Sequence, residues 1–161
     1  MAAAGKILSR EAIAEHTRAA REHGRTVVFT CGVFDLLHVG HVRYLEFARG
    51  LGDLLVVAVN ADASVRQLDK GAGRPIVPER ERAEVVAALA SVDYVCLFSE
   101  QRPNETIAII RPSIHVKDAA YQGAPLPEAA AVAAAGGSIR FAPHVEAHST
   151  SELLRRLSNA R

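Results

Sequence analysis

The sequence predicts an α/β fold built on a parallel sheet. Short apolar runs, which indicate strands, alternate with longer stretches of helical spacing. The strands are expected at 26–31, 54–60, 94–98, 114–117 and 138–142. The middle three are continuous or nearly continuous in apolar residues, as is typical of strands covered by helices on both faces. Strand-helix alternation at this spacing favours right-handed crossovers, so we expect a Rossmann-like, doubly wound sheet of about five parallel strands flanked by helices.

The helices are expected between these strands and at the two ends of the chain. Ser9 is a suitable N-cap for the first helix and Gly24 a suitable stop. The predicted helices are 9–22, 40–50, 79–90, 103–110, 126–135 and a last amphipathic helix within 148–157. The Gly- and Pro-containing segment 69–78 is expected to be a substrate-facing loop rather than a linker. With 161 residues, the chain is expected to form one domain, with a helical extension at 1–24 and a core at 25–158.

Composition and charge exclude several classes of partner. The formal net charge is +1, so no global basic field favours nucleic acid. Cys31 and Cys96 lie in predicted strands and are expected to be reduced thiols, with no zinc-type spacing. No apolar run approaches the roughly 18 residues of a membrane span. The N-terminus has no signal-like apolar region. We therefore expect a cytoplasmic protein without a membrane partner.

Unusual polar residues gather just after the predicted strands. Ligands of doubly wound sheets bind outside the carboxyl ends of the strands. The windows that follow strands and carry these residues are 32–41, 60–62, 117–121 and 143–151. The sequence therefore predicts a ligand site along this edge of the sheet.

Two histidines mark the first of these windows. His38 and His41 are three residues apart at a predicted helix start, so they face the same side. The helix N-terminus adds N–H groups and positive potential, and Gly40 allows a ligand to approach closely. No nucleophilic Ser or Cys stands beside the histidines, which favours stabilisation of charge over covalent catalysis. The turn matches neither GxGxxG nor GxxxxGK[ST], which argues against a dinucleotide site and a P-loop.

The stretch GVFDLLHVGH, residues 32–41, resembles the G-x-F-D-x-x-H-x-G-H motif of the nucleotidyltransferase superfamily, typified by cytidylyltransferases. HSTSELLRRL, residues 148–157, is similar to its second motif, a hydroxyl cluster that opens the last helix. Within the superfamily, the chain is most similar to D-glycero-β-D-manno-heptose 1-phosphate adenylyltransferases. That similarity is carried by HVRYLEFARGLGDLLVVAVNADASVRQL, KGAGRPIVPERERAEVVAALASVDYV and RPSIHVK. The resemblance covers roughly residues 25–158.

The resemblance implies transfer of AMP from ATP to a sugar 1-phosphate, with release of pyrophosphate. It implies ATP as a substrate, Mg²⁺ carried largely by the oxygens of that substrate, and a homodimer or larger assembly. No protein side chain is assigned as a metal ligand. Two alternatives stay open: a CTP-dependent cytidylyltransferase for a small polyol or amino-alcohol phosphate, and a nucleotide-binding regulatory subunit without turnover.

The resemblance also implies roles for particular residues. The expected catalytic residues are His38, His41, Lys70 and Arg74. The expected nucleotide-binding residues are Thr30, Cys31, Gly32, Phe34, Asp35, Gly40, Arg82, Lys117, Asp118, Ser149, Thr150 and Ser151. The expected acceptor-binding residues are Asn60, Asp62 and Tyr121. For Asp35 three roles stay open: orienting a loop, assisting a metal, or capping the turn.

The chain departs from the heptose group near the fourth strand. That group usually has Lys-Gly-Gly-Asp-Tyr there, whereas this chain has Lys117-Asp118-Ala119-Ala120-Tyr121. The backbone is expected to change where glycine freedom is lost, and the change bears on the acceptor more than on the nucleotidyl chemistry. His115, in the same strand, is expected to be incidental.

Overall fold

A five-stranded parallel sheet forms the centre of the fold. The computed structural model describes residues 2–68, 73–143 and 150–159. The strands are β1 (Val27–Gly32), β2 (Leu54–Asn60), β3 (Tyr94–Phe98), β4 (Ile114–Asp118) and β5 (Ser138–Ala142). They lie in the order β3-β2-β1-β4-β5, and every neighbouring pair is parallel. The predicted Rossmann-like α/β fold is confirmed.

Helices lie between the strands and at both ends of the described chain. The α-helices are α1 (Arg10–Glu22), α2 (Val39–Gly50), α3 (Asp62–Gln67), α4 (Glu79–Ala87), α5 (Asn104–Ile110), α6 (Ala129–Ala134) and α7 (Thr150–Ser158), and short 3-10 helices span Ala3–Lys6 and Ala119–Tyr121. Ser9 caps α1 as predicted, because its hydroxyl accepts from the backbone N–H of Ala12 at 3.1 Å. The predicted 79–90 and 126–135 helices are shorter than expected, and α3 was not predicted.

The two faces of the sheet carry separate apolar layers. Successive strand residues point to opposite faces, so Val28 and Val57 pack on one side while Phe29 and Val56 pack on the other. Helices α2 and α4 cover the first face, and α1, α5 and α6 cover the second. None of the helices in the described part of the chain is long and apolar enough to cross a membrane.

The strand order places a ligand crevice between β1 and β4. The chain moves outward from β1 through β2 to β3, and then returns to the other side of β1 at β4. The segments that follow β1 and β4 therefore leave in opposite directions and open a gap at the carboxyl ends of these strands. Two of the predicted windows, 32–41 and 117–121, lie at this gap.

Candidate functional site

The turn after β1 ends in a capping box made of two imidazoles. His38 is the N-cap residue of α2, and its Nδ1 accepts from the backbone N–H of Gly40 at 3.1 Å. Nδ1 of His41 accepts in return from the backbone N–H of His38 at 3.3 Å. The two rings stack with centroids 3.9 Å apart. The three-residue spacing is thus a reciprocal cap, in which imidazole nitrogens replace the usual hydroxyl and carboxylate oxygens.

This cap fixes which ring nitrogen carries the proton. A nitrogen that accepts a hydrogen bond has no proton, so both Nδ1 atoms are unprotonated and each neutral ring carries its proton on Nε2. Burial, the larger cause, and the electrostatic interaction with His38 together lower the pKa of His41 to about 4. At neutral pH His41 is therefore an uncharged Nε2–H donor.

The lowered pKa of His41 predicts an acid-sensitive fold. Between pH 6.5 and about 4 the unfolded chain binds a proton at His41 that the folded chain does not. The free energy of unfolding should therefore fall as the pH decreases through this window. An NMR titration of the histidine C2–H signals should give one ring with a midpoint near 4, absent from His41→Asn. A midpoint near 6.5 for His41 would contradict the prediction.

Phe34 closes the floor of the turn with a strained backbone. Its φ is 50°, in the left-handed region that an aromatic residue rarely adopts. Its ring lies 5.3 Å from that of His41, and a Cβ built on Gly32 would meet the same ring at 3.1 Å. A glycine at position 32 therefore lets Phe34 pack beneath the histidines.

Asp35 anchors the second half of the predicted 69–78 loop. Its side chain is fully buried, pairs with Nε of Arg74, and accepts from the backbone N–H groups of Ile76 and Val77 at 2.9 Å each. Burial alone would raise the pKa of Asp35, but these backbone donors and Arg74 outweigh it and lower that pKa. Of the three roles left open for Asp35, this geometry supports the orientation of a loop.

Arg82 joins three segments beneath the site. Its buried guanidinium donates from Nε to the carbonyl of Val77 at 2.8 Å, from Nη1 to that of Val33 at 2.5 Å, and from Nη2 to that of Asn60 at 2.7 Å. Nη2 also pairs with Asp62 at 2.6 Å. The predicted site residues Arg82, Asn60 and Asp62 are thus brought together. The expected phosphate contact of Arg82 stays a prediction.

Thr30 lies below the crevice rather than at its surface. Its hydroxyl is fully buried, 2.6 Å from the Tyr44 hydroxyl and 3.1 Å from the carbonyl of Val116, to which it donates. The Tyr44 hydroxyl also donates to the carbonyl of Val116, at 2.8 Å. Thr30 therefore links β1 to β4, and Tyr44 links α2 to β4. This arrangement supports an indirect role for Thr30 in shaping the crevice.

The departure after β4 forms an ordinary turn. Asp118 accepts from the backbone N–H of Ala120 at 2.8 Å and caps the 3-10 helix Ala119–Tyr121. Within the described ranges the non-glycine residues with positive φ are Phe34 and Arg111, so neither alanine occupies a conformation that needs glycine. Asp118 supplies a cap that suits alanine, and the difference from the Gly-Gly backbone of the heptose group stays a prediction.

Two cavities meet at His41, and His38 lines the one on the α2 side. The cavity on the α2 side, about 380 Å³, is also lined by Tyr44 and Asp118. The cavity on the β3 side, about 420 Å³, is also lined by Asn60 and Arg102. The residues that line both cavities are Cys31, Gly32, Val33, Phe34, His41, Lys117, Tyr121 and Thr150. An apolar cavity of about 600 Å³ between α4 and α7 contains neither histidine.

Several residues of the site were missed by sequence reasoning, and three predicted ones cannot be placed. Tyr44 lies one turn after His41 on the same face of α2, a spacing that could have revealed it. Gln101 and Arg102 follow β3, and the strand-end rule would have found them had it been applied to that strand. Lys70 and Ser149, and the side chain of Ser151, lie outside the described residues.

The parallel sheet, its switch point and the imidazole cap define a nucleotidyltransferase domain. A family model described as cytidylyltransferase-like matches residues 29–153. The chain therefore belongs to the cytidylyltransferase-like family, which confirms the resemblance found in the sequence.

Curated relatives and a solved structure agree with this assignment. The chain is 46% identical over 152 residues to the bifunctional protein HldE of Trichlorobacter lovleyi, covering 94% of this chain and 31% of that protein. It is 49% identical over 140 residues to HldE of Citrifermentans bemidjiense, covering 86% and 28%. The chain thus spans about a third of the length of these relatives. A lipopolysaccharide core biosynthesis protein from Thermoplasma volcanium superposes with a TM-score of 0.63 at 28% identity, covering 78% of this chain and all of that one.

Proposed function

We propose that the chain transfers AMP from ATP to D-glycero-β-D-manno-heptose 1-phosphate, giving ADP-heptose and pyrophosphate. The observation that carries the proposal is the imidazole cap, whose two rings line the cavity on the α2 side, with His41 also lining the cavity on the β3 side. A transfer between two bound substrates needs such adjoining spaces. The heptose acceptor is supported by the sequence resemblance and by the relatives named HldE.

The reaction is a displacement at the α-phosphorus of the triphosphate. An oxygen of the sugar phosphate attacks and forms the new P–O bond. The bond from the α-phosphorus to the bridging oxygen breaks, and its electron pair leaves with pyrophosphate. The attacking oxygen is already anionic, so the chain need not remove a proton. His38 and His41 donate to oxygens that gain negative charge in the transition state, where neutral preorganised donors are effective.

The two cavities are suited to different substrates. The cavity on the α2 side lies at the switch point between β1 and β4, where α/β sheets bind nucleotides, and we assign it to the triphosphate. The cavity on the β3 side presents Asn60, Arg74 and Arg102 and suits a hydroxylated, anionic acceptor. Thr150, at the start of α7, lines both cavities, which supports its proposed contact with phosphate.

The donor set does not fit a metal held by the protein. The carboxylate of Asp35 is engaged by Arg74 and two backbone N–H groups. No group of three or more His, Cys, Asp or Glu side chains within the described residues is placed to bind an ion. Mg²⁺ therefore stays a prediction for the substrate's own oxygens, and no step is routed through it. The cytoplasmic location and the homodimer or larger assembly likewise stay predictions.

A second candidate is a cytidylyltransferase for a small polyol or amino-alcohol phosphate. The description of the matching family model favours it, and both reactions use the same imidazole donors. The two differ in the nucleotide base and in the size of the acceptor.

Pyrophosphate release separates these candidates. The chain should be assayed with Mg²⁺, crossing ATP, CTP, GTP and UTP against the heptose 1-phosphate and glycerol 3-phosphate. We expect release with ATP and the heptose, above a background without acceptor. Release with CTP and glycerol 3-phosphate would move the chain to the second candidate. No release from any pair, with ATP still bound in calorimetry, would contradict the proposed turnover.

A further inference from the structure

A cluster of three largely buried ionisable side chains lies at the cavity on the β3 side, which two of them, Lys117 and Glu128, line. His115 and Lys117 are two residues apart on β4, so they point to the same face of the sheet. On that face they meet Glu128, which directly precedes α6. Oε1 of Glu128 lies 2.8 Å from Nζ of Lys117 and 3.4 Å from Nε2 of His115.

The carboxylate of Glu128 is held in place from two sides. Glu128 is 4% exposed, and a buried carboxylate is costly unless it is paired and hydrogen-bonded. The hydrogen bond from His115 outweighs the opposing effect of burial and, with Lys117, lowers the pKa of Glu128 to about 2. His115 is itself fixed, because its Nδ1 lies 3.3 Å from the carbonyl of Phe29. Glu128 is therefore a fixed anion, and His115 is not incidental.

Lys117 connects the Glu128 carboxylate to the site. Its side chain is 16% exposed and lines both cavities. Its Nζ lies 4.6 Å from the ring centroid of Tyr121, which holds the ammonium from the other side. Burial alone would lower the pKa of Lys117, but Cys31 and Glu128 outweigh it and raise that pKa. Lys117 therefore stays charged beside the space assigned to phosphates.

A lysine on a flexible stem is a weaker electrostatic element than one whose position is fixed in advance. The ion pair with Glu128 restricts the stem of Lys117 before any substrate arrives. We propose that Glu128 is a positioning residue, which holds the Lys117 ammonium at the wall between the two cavities for contact with the nucleoside triphosphate. This role rests on the proposed nucleotidyl transfer for its purpose, but its test does not require turnover.

A double-mutant cycle on nucleotide binding tests the proposal. The dissociation constants of ATP and CTP are measured by calorimetry for the full chain, Glu128→Gln, Lys117→Met and the double variant. The Glu128→Gln change keeps the shape and removes the charge. We expect it to weaken binding of the preferred nucleotide about 10-fold, as loss of a charged hydrogen bond does. In the Lys117→Met background the same change should have no further effect, because Glu128 acts through Lys117.

The controls separate positioning from folding. Glu84 is exposed on α4, and Glu84→Gln should bind nucleotide like the unchanged chain. If Glu128→Gln melts below the assay temperature, Glu128→Asp is used instead, since it keeps the charge but withdraws it by one methylene. Equal losses in both backgrounds would indicate a structural role and overturn the proposal, as would unchanged binding by Glu128→Gln. If the cycle shows coupling between Glu128 and Lys117 but no substrate pair releases pyrophosphate, this inference stands and the proposed function fails.

Discussion

Replacement of His41 by alanine should lower turnover by about 10²-fold or more while the fold is kept. The change removes the Nε2–H donor from the wall between the cavities. It also removes the Nδ1 acceptor of the backbone N–H of His38, which should cost about 1 kcal/mol of stability, as loss of a cap does. The measurement is pyrophosphate release with the active substrate pair, together with a melting curve.

Two further variants distinguish the donor of His41 from its cap. Asparagine can place its oxygen near the position of Nδ1, so His41→Asn should keep the cap and the stability but lose turnover as the alanine variant does. Glutamine can place its amide nitrogen near the position of Nε2, so His41→Gln should recover part of the rate. His23→Ala, at the exposed end of α1, is the histidine control. A nearly normal rate for folded His41→Ala would refute the donor role.

The largest effect on stability is expected at Arg82. Its side chain is fully buried, and Arg82→Met would leave three backbone carbonyls and the carboxylate of Asp62 without their donor. Breaking a buried pair by removal of one partner is strongly destabilising, and the exposed quarter of Asp62 reduces the effect, so we expect a loss of about 3 kcal/mol. For a chain of this size that loss should lower the Tm by roughly 6–12 °C.

Arg80 supplies the matched control for this variant. It is exposed on the same helix, two residues earlier, and Arg80→Met should change stability by less than about 0.5 kcal/mol. Arg82→Lys keeps the charge, but a single ammonium cannot bridge all three segments, so an intermediate Tm is expected. Both methionine variants are compared by chemical denaturation. If Arg82→Met unfolds at the same denaturant concentration as Arg80→Met, Arg82 does not hold the strand ends together.

The strands could be predicted closely because the apolar composition that marks a buried strand is a property of a short stretch of sequence. The expected 54–60, 94–98 and 138–142 match β2, β3 and β5 at both ends, and the first two are almost wholly apolar. Helices were predicted less well. The six residues of α3 are too few to show a period, and the alanines after α4 continue a helical composition past the point where the helix ends.

The turn of the site could be predicted from its motif, but the pairing of its charges could not. Arg82 appears in the sequence as one of two arginines on a charged helix, yet it alone of the five charged residues of α4 is buried. The partner of Asp35 is 39 residues away, and those of Glu128 lie in a strand rather than a nearby turn. Such pairs are set by which segments the sheet brings together, and no local pattern encodes them.

The shared wall between the two cavities has a consequence for how this enzyme class can diversify. Lys117 and Tyr121 line both cavities, so substitutions there are expected to change the binding of both substrates together. Substitutions at Asn60 or Arg102 alter only the cavity on the β3 side. Substitutions at a few residues of one cavity can therefore change one substrate, while the residues shared by both cavities stay the same. The same partition offers an engineer a route to new products of nucleotidyl transfer.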